Sequence, residues 1–386
     1  MKHTARKLLI CLCLAVLLPA AAFAESAGAP EDTGFLDRIA EWWKEEAPLF
    51  AQALRNAWTE LNEPPKVIDR IEDPDAWPDF AFPGDAELLE VWFPNIRDQD
   101  ATVFVYQDQV WMVDCGDERA KTDIVPLLQH VGITQIDRLF NTHPHHDHLN
   151  GIYSIDSVLP VKELLICFPE DSTKHMTAAM EYCKGNGIPV TAYEDESVFP
   201  MGDGLVSFLT WLKAGENVEN INDASAQFMV SYGQCSLLIM ADAERAGQRL
   251  LYDALEPEAL KADILRYPHH GKKAMVDEVY DAIDPALVIV TNPCNIPEIR
   301  ESTRFLRYRH VSAAYTRRGD SVLHLVTDGT RWLCEAVPFT PPPLTEEELP
   351  AEKEAEEAEA GPEDGTEENP GGAEGEARPG ETETEE

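Results

Sequence analysis

Four candidate metal ligands follow a single apolar run within a few residues of one another. The run Ile136–Phe140 is typical of a buried strand, and the segment after it contains His143, His145, Asp147 and His148. A turn after a strand can aim two imidazoles two residues apart at one metal ion, and the Asp and His that follow can reach a second ion. A His-rich surface loop is the alternative, but the position directly after a buried strand disfavours it. The pattern therefore predicts a centre for Zn²⁺, Mn²⁺ or iron.

Two later strand ends offer further ligands. Asp242 follows the apolar run Ser236–Met240, and His269 and His270 follow the run Ile264–Tyr267. A lone Asp at a strand end is commonly a helix N-cap, but beside the histidine cluster we expect Asp242 to bridge two metal ions. One of the two later histidines is expected to complete the second metal site. The other would face the substrate as a proton donor or a phosphate contact, and the spacing leaves open which does which.

The middle of the chain alternates strand-like apolar runs with helix-like segments, which is typical of an α/β fold. The stretch after the triple proline at 341–343 is rich in Glu, Ala and Gly, so it cannot bury enough apolar surface to fold. We therefore expect four parts: a signal peptide at 1–24, a helical segment with a Pro-rich linker at 25–85, the α/β domain at 86–340, and a disordered acidic tail at 341–386.

The N-terminus has the pattern of an export signal. Lys2, Arg6 and Lys7 precede the apolar stretch Leu8–Leu18, and Ala22–Ala24 forms a small-x-small cleavage site. The apolar stretch is shorter than the roughly 20 residues that a membrane-spanning helix needs. We therefore expect a cleaved signal and a secreted or cell-envelope-associated protein, with an uncleaved anchor as the alternative.

Six cysteines remain after the signal, and they contain no CxxC pair. Several fall in apolar strand-like runs, such as Cys235 before Ser236–Ile239. Export permits disulfides, but this scatter indicates small buried side chains and not a disulfide framework.

The net charge of −40 disfavours polyanionic partners unless a local basic patch offsets it. Arg300, Arg304 and Arg307 share one face of a predicted helix and could hold a phosphate near the metals. The alternative is a solvated helix face balanced by Glu298 and Glu301.

The order of these motifs resembles that of the metallo-β-lactamase superfamily. In finer detail the chain is similar to the extracellular hydrolase domain of the ComEC competence proteins and its free-standing relatives. The resemblance covers roughly residues 86–336, and the matching segments in order are Met112–Gly116, Thr142–Pro144, Asn222–Ser225, Ala241–Glu244, Pro268–Gly271 and Thr327–Gly329.

This resemblance implies a four-layer αβ/βα sandwich with two internally similar halves and a metal-bound hydroxide at one sheet edge. Two divalent metal ions, with zinc preferred over manganese, would be held by His143, His145, Asp147, His148, Asp242 and His270. Asp147 and His269 are the expected catalytic residues. Asp114 would support the ligand loop from outside the metal site.

The chain departs from the wider superfamily in one respect. Most members have a further His between the first cluster and the bridging Asp, whereas here that interval holds only His175, on a helix-like surface segment. The ComEC-like subgroup also lacks this His and has an Asn-Asp-x-Ser stretch instead. Asn222, Asp223 or Ser225 could face the metal or the substrate, or could form an ordinary turn before the next strand.

Together these features predict an exported metal-dependent hydrolase that uses a metal-bound hydroxide to cleave phosphodiester bonds, as a nuclease or phosphodiesterase-like enzyme. The expected partners are a small-molecule or phosphodiester substrate, with nucleic acid and the cell envelope as candidates. The enzymatic alternatives are an envelope phosphoester, a lactone or a lactam. A non-catalytic metal-binding module is the alternative of a different class, and the oligomeric state does not follow from the sequence.

Overall fold

The computed structural model describes residues 82–341, with gaps at 214–217, 219, 295 and 317–320. These residues all belong to one compact unit. The predicted signal peptide, the N-terminal helical segment, nearly all of the linker and nearly all of the acidic tail lie outside the described residues. No helix within the described part of the chain combines the length and apolar character that crossing a membrane requires.

Fifteen strands occur among the described residues: β1 (Leu89–Phe93), β2 (Thr102–Tyr106), β3 (Gln109–Val113), β4 (Arg138–Phe140), β5 (Leu164–Ile166), β6 (Val190–Ala192), β7 (Val198–Met201), β8 (Val206–Trp211), β9 (Gln227–Tyr232), β10 (Cys235–Ile239), β11 (Ile264–Arg266), β12 (Leu287–Val290), β13 (Ser312–Tyr315), β14 (Ser321–Thr327) and β15 (Trp332–Pro338). They form two sheets. The first has the order β15-β14-β1-β2-β3-β4-β5-β6, and the second has the order β13-β12-β11-β10-β9-β8-β7.

The α-helices of the described part are α1 (Ala120–Asp123), α2 (Val125–His130), α3 (His146–Leu149), α4 (Gly151–Asp156), α5 (Lys174–Asn186), α6 (Arg245–Ala254), α7 (Asp277–Ile283) and α8 (Arg300–Tyr308). Short 3₁₀ turns lie at Pro257–Leu260, His269–Gly271 and Pro297–Ile299. Helices α1 and α2 are separated at Ile124, because Pro126 falls in the first turn of α2 and cannot continue a preceding helix.

Each half of the fold repeats one pattern. In the first sheet, β1, β2 and β3 pair antiparallel, and β3 to β6 pair in parallel. In the second sheet, β7 to β10 pair antiparallel, and β10 to β13 pair in parallel. Two internally similar halves, as the resemblance implied, therefore face each other.

Aromatic side chains join the inner faces of the two sheets. Phe104 on β2 lies 4.8 Å from Phe208 on β8, and Phe140 on β4 lies 5.5 Å from Phe228 on β9, measured between ring centroids. All four rings are fully buried. Burying each side chain of this size contributes about 2 kcal/mol, so this layer is a main source of sheet-to-sheet adhesion.

Helices cover the two outer faces. Leu128 of α2 and Ile152 of α4 share a buried apolar cluster with Met112 of the first sheet. Val279 of α7 shares another with Leu265 of the second sheet. The order helix, sheet, sheet, helix confirms the predicted four-layer αβ/βα sandwich.

Three loops meet at one end of the parallel strands. The loop after β4 is linked to the second sheet where the Ala226 amide donates to the Thr142 carbonyl at 3.0 Å. The loops after β10 and β11 are linked where the His269 amide donates to the Ala241 carbonyl at 2.9 Å. The segments that carry the predicted ligands are therefore brought together by backbone hydrogen bonds.

Candidate metal centre

The predicted ligands converge on the Asp242 carboxylate. Its Oδ2 atom lies 3.2 Å from Nε2 of His148 and 3.4 Å from Nε2 of His270. Nε2 of His269 is 3.8 Å away, and Nε2 of His143 is 4.0 Å away. Residues from two separate strand ends of the second sheet therefore meet the histidine cluster of the first.

Close approaches divide the remaining ligands into two groups. Nε2 of His143 lies 3.1 Å from Nδ1 of His145. Oδ2 of Asp147 lies 3.3 Å from Nε2 of His270. Both groups contact Asp242, so this one carboxylate links the ligands of the two groups.

Asp114 determines which nitrogen of two histidines faces the centre. Its carboxylate accepts hydrogen bonds at 2.8 Å from Nδ1 of His148 and from the amide and hydroxyl of Thr142. The Thr142 oxygen is then left to accept from Nδ1 of His143, which is 3.0 Å away. With protons on both Nδ1 atoms, the Nε2 lone pairs of His143 and His148 are directed inward.

The inward atoms lack partners of their own. Nε2 of His148, Nε2 of His270 and Oδ1 of Asp242 are buried and have no hydrogen-bond partner among the described residues. One ligand atom each from Asp100, His148, Asp242 and His270 lie within 4.8 Å of one another. Lone pairs crowded in this way are stabilised only by positive charge among them, and the nitrogen and oxygen donor set fits a divalent ion such as Zn²⁺ or Mn²⁺.

The electrostatics of the protein alone also favour positive charge here. Burial lowers the pKa of His148, but the carboxylates of Asp242, Asp114 and Asp147 outweigh burial and raise that pKa well above its ordinary value. Burial raises the pKa of Asp242, but His270 and His148 outweigh it and hold that pKa well below its ordinary value. A bound cation would replace the proton that this field attracts.

The ligand loops contain unusual backbone conformations. Ala241, His269 and His270 have φ values of 45°, 49° and 48°, and Asp114 has 58°. Each such non-glycine residue costs on the order of 1–3 kcal/mol and persists only where its surroundings hold it. These turns are what bend the chain after β3, β10 and β11 so that the side chains point at the centre.

Exposure distinguishes the two adjacent histidines. The His270 side chain is fully buried, whereas 15% of the His269 side chain is exposed, similar to the 14% of Asp147. Nδ1 of His269 lies 3.1 Å from Glu244, which pairs with Lys273 at 2.6 Å. His270 therefore lies inside the centre, and His269 lies at its open side.

The Asn-Asp-x-Ser stretch lies behind the Asp242 loop. Ser225 is buried, and its hydroxyl accepts a hydrogen bond from the Asp242 amide at 3.2 Å. Asp223 accepts from the amide of Gly247 at 2.7 Å, while Oδ1 of Asn222 is buried with no hydrogen-bond partner among the described residues. The structure thus places Ser225 as a support of the ligand loop and not on a surface that a substrate could reach.

The predicted basic helix is present as α8, and Arg300 and Arg304 are exposed on it. On another face, the Ser302 hydroxyl donates to the carbonyl of Gly271, directly after His270. This hydrogen bond anchors α8 against the histidine turn.

His175 stays outside the ligand set. Its Nδ1 lies 3.2 Å from Asn150, and its ring lies 5.7 Å from that of His146.

Two buried charged residues beside Asp242 were not predicted from the sequence. Arg266, the last residue of β11, is fully buried and forms an ion pair with Asp100, which is 2% exposed. A charged residue within the apolar run Ile264–Tyr267 was the available signal for the arginine. Nothing in the local pattern distinguishes Asp100, because its role depends on a partner far away along the chain.

Residues 95–208, which include the whole histidine cluster, match the family model described as the metallo-beta-lactamase superfamily. Over this segment the chain is similar to the metallo-β-lactamase superfamily. Members of that superfamily are metal-dependent hydrolases, and the buried donor cluster around Asp242 is suited to the same chemistry.

The chain also has a curated relative. "ComE operon protein 3" of Bacillus subtilis (strain 168) is 22% identical over 169 residues, which is 44% of this chain and 21% of that protein. The chain thus spans about a fifth of the length of the curated relative it matches.

Two solved structures resemble the domain at low identity. Igni18, a metallo hydrolase from Ignicoccus hospitalis, aligns at 9% identity and a TM-score of 0.40, covering 61% of this chain and 98% of its own. CmlA, a diiron beta-hydroxylase from Streptomyces venezuelae, aligns at 12% identity and a TM-score of 0.40, covering 64% and 54%. At these TM-scores neither likeness bears on activity.

Proposed function

We propose that this metal-dependent hydrolase is exported and cleaves phosphodiester bonds, with two divalent metal ions held around Asp242. The observation that carries the proposal is the position of Asp242 between two ligand groups. His143 and His145 would hold one ion, and Asp147, His148 and His270 the other. The high share of imidazole among these ligands favours zinc over manganese.

When bound, two such ions lower the pKa of a coordinated water toward about 7 and offset negative charge on the scissile group. The chain's own residues would do the rest. The hydrogen bond from His269 is the main cause that lowers the pKa of the Glu244 carboxyl to about 2, so this carboxyl is ionised at neutral pH. This carboxylate lies 3.1 Å from Nδ1 of His269 and orients its ring, which would serve as the proton donor to the leaving oxygen. Asp147, on the same partly exposed side, would orient the attacking water.

Basic residues near the open side support an anionic substrate. Lys272 and Lys273 directly follow the histidine turn, and the amide of Lys272 donates to the carbonyl of His269 at 2.8 Å. Arg300 and Arg304 lie on the helix that is anchored to the same turn. In a chain of net charge −40, this is the local positive charge that a phosphodiester would need. The resemblance to ComEC hydrolase domains favours the same substrate class, with nucleic acid as one candidate.

A hydrolysis panel with matched variants tests the proposal. The full chain, supplied with Zn²⁺ or Mn²⁺, is expected to hydrolyse bis-p-nitrophenyl phosphate, and His145→Ala is expected to lose this activity. His146→Ala is the control, since its side chain is 56% exposed and belongs to the same loop. Equal cleavage by the wild type and His145→Ala would show that the site is misassigned.

The same panel separates the alternatives. Turnover only of a phosphomonoester such as p-nitrophenyl phosphate, of a lactone or of a β-lactam would replace the phosphodiester assignment. Tight Zn²⁺ binding with no turnover of any substrate would favour a non-catalytic metal-binding module.

Export is tested on the natural product of the gene. We expect the mature protein, recovered from the medium or the cell envelope, to begin at Glu25. A protein that begins at Met1 inside the cell would contradict this part of the proposal.

A further inference from the structure

Arg266 places a buried cation directly behind the metal centre. Its guanidinium donates hydrogen bonds to the carbonyls of Ala241 and Tyr267 and, at 3.1 Å, to the hydroxyl of Thr291. Its Nη2 atom lies 3.4 Å from Nδ1 of His270. Because Ala241 directly precedes the shared aspartate, one arginine touches both loops that carry the ligands of the second sheet.

Two carboxylates compete for this guanidinium. Nη2 of Arg266 contacts Oδ2 of Asp100, and Nη1 lies 4.0 Å from Oδ1 of Asp242. The Asp242 oxygen has no hydrogen-bond partner among the described residues. The backbone of Asp100 is held on both sides, by the carbonyl of Asp147 at 3.1 Å and by the amide of Gly116 at 2.8 Å. The contact of Asp100 with the arginine is therefore built into the loop before β2.

The ion pair between Asp100 and Arg266 affects the charge balance at the metal centre. A guanidinium paired with Asp242 would occupy the carboxylate that both metal positions share, and positive charge beside the centre would oppose cation binding. Arg266 also holds the strained turn at Ala241 through its hydrogen bond to that carbonyl, and its Nη2 atom lies against the ring of His270.

We propose that Asp100 is a positioning residue of the metal centre, which neutralises Arg266 and keeps it from pairing with Asp242. The inference rests on the metal centre of the proposed function and not on the identity of the substrate. The alternative is that Asp100 is itself a metal ligand, because its carboxylate lies within 4.8 Å of the donor atoms of His148, Asp242 and His270.

Zinc affinity of the full chain, measured by competition with a chromophoric chelator, tests the proposal without any substrate. Asp100→Asn is expected to weaken Zn²⁺ binding roughly 10- to 100-fold, because Arg266 then pairs with Asp242. Adding Arg266→Met in the same chain is expected to recover part of that loss, because no cation is left to compete, although the hydrogen bonds to the carbonyls of Ala241 and Tyr267 are lost as well. His270 keeps its 3.2 Å contact with Thr291 in the double variant.

Asp117→Asn is the matched control. It removes the carboxylate of another buried Asp from an ion pair, that with Arg119 at 2.6 Å, and is expected to leave Zn²⁺ affinity unchanged. Thermal unfolding in EDTA checks that each variant is folded. Replacing both members of a buried pair is milder than removing one, so the double variant is expected to melt above Arg266→Met alone.

Three results would overturn the inference. Unchanged affinity in Asp100→Asn would show that the pair does not affect the centre. Equally weak binding in Asp100→Asn and the double variant would assign Asp100 as a ligand. If the wild type binds Zn²⁺ no more tightly than His145→Ala does, the assignment of the metal centre is wrong, and so is the proposed function that depends on it.

Discussion

The Asp114 carboxylate accepts a hydrogen bond of 2.8 Å from Nδ1 of His148, and both side chains are fully buried. This hydrogen bond directs Nε2 of the histidine toward Asp242, 3.2 Å away. The two residues come from the ends of different strands of the first sheet, and the bond makes the metal centre depend on a carboxylate that does not belong to it.

Asp114→Asn is therefore expected to weaken Zn²⁺ affinity roughly 10- to 100-fold while the chain stays folded. The neutral amide no longer polarises the imidazole, and its hydrogens compete for the Thr142 hydroxyl. Competition with a chromophoric chelator measures the affinity. Asp137→Asn is the control, because Asp137 only caps the Val110 amide at 2.8 Å and the Gln135 side chain at 2.6 Å. An equal loss in both variants would point to a general effect of removing charge.

Zinc is expected to stabilise the folded chain through mass action. At a free Zn²⁺ concentration about 100 times the dissociation constant, the free energy of unfolding should rise by about 2.7 kcal/mol over the value in EDTA. Asp242→Ala should abolish this increment, because both ligand groups share that carboxylate. Urea titrations with and without metal measure the difference. An undiminished increment in the variant would place the binding site elsewhere.

Gly151→Ala is expected to destabilise the fold by about 3 kcal/mol or more, because an added Cβ would meet the Cys115 carbonyl oxygen at 1.8 Å. The backbone there is held by the hydrogen bond from the Gly151 amide to Gly116 and cannot easily retreat. Gly185→Ala, on the exposed side of α5 with nothing within 4 Å of the added atom, should instead stabilise by roughly 0.5–1 kcal/mol. Equilibrium urea unfolding of both variants should show changes of opposite sign.

Glu90 is expected to contribute a pH-dependent part of stability. Its hydrogen bond with Nε2 of His324, 3.0 Å long, lowers the pKa of its carboxyl below the ordinary 4.5. The contribution is therefore present above pH 4.5 and is lost as the pH falls through the lower folded-state pKa. The difference in unfolding free energy between the wild type and Glu90→Gln should shrink between pH 7 and pH 3. A constant difference across that range would mean that the hydrogen bond has no ionic component.

Much of this arrangement follows from local pattern. The four-residue ligand cluster, the strand-end Asp242 and the paired histidines each stand directly after an apolar run, and parallel strands place such ends at one edge. The hairpin of β14 and β15 turns around Asp328 and Gly329, a dipeptide typical of such turns, and its register pairs Thr327 with Trp332. The cysteine prediction holds for the described residues, where all six are free and four are buried.

Other features needed the third dimension. Strand β7 carries Pro200, which normally argues against a strand, and it is tolerated because β7 is the edge of the second sheet. The short helix α7 has no apolar stripe long enough to predict. The pairing of Asp100 with Arg266 joins separate halves of the fold, so no periodicity could reveal it. His269 and His270 share one local context, and only the difference in burial between their side chains separated their places.

The origin of the ligands in both halves has a temporal consequence. During synthesis the residues from His143 to His148 leave the ribosome well before Asp242 and His270. On their own they would supply only part of the ligand set for a cation. Full coordination has to wait until the second half has docked against the first. Tight metal binding would then be a property of the fully folded chain alone. A substitution that weakens the Phe104–Phe208 and Phe140–Phe228 contacts should release the ion before either sheet unfolds.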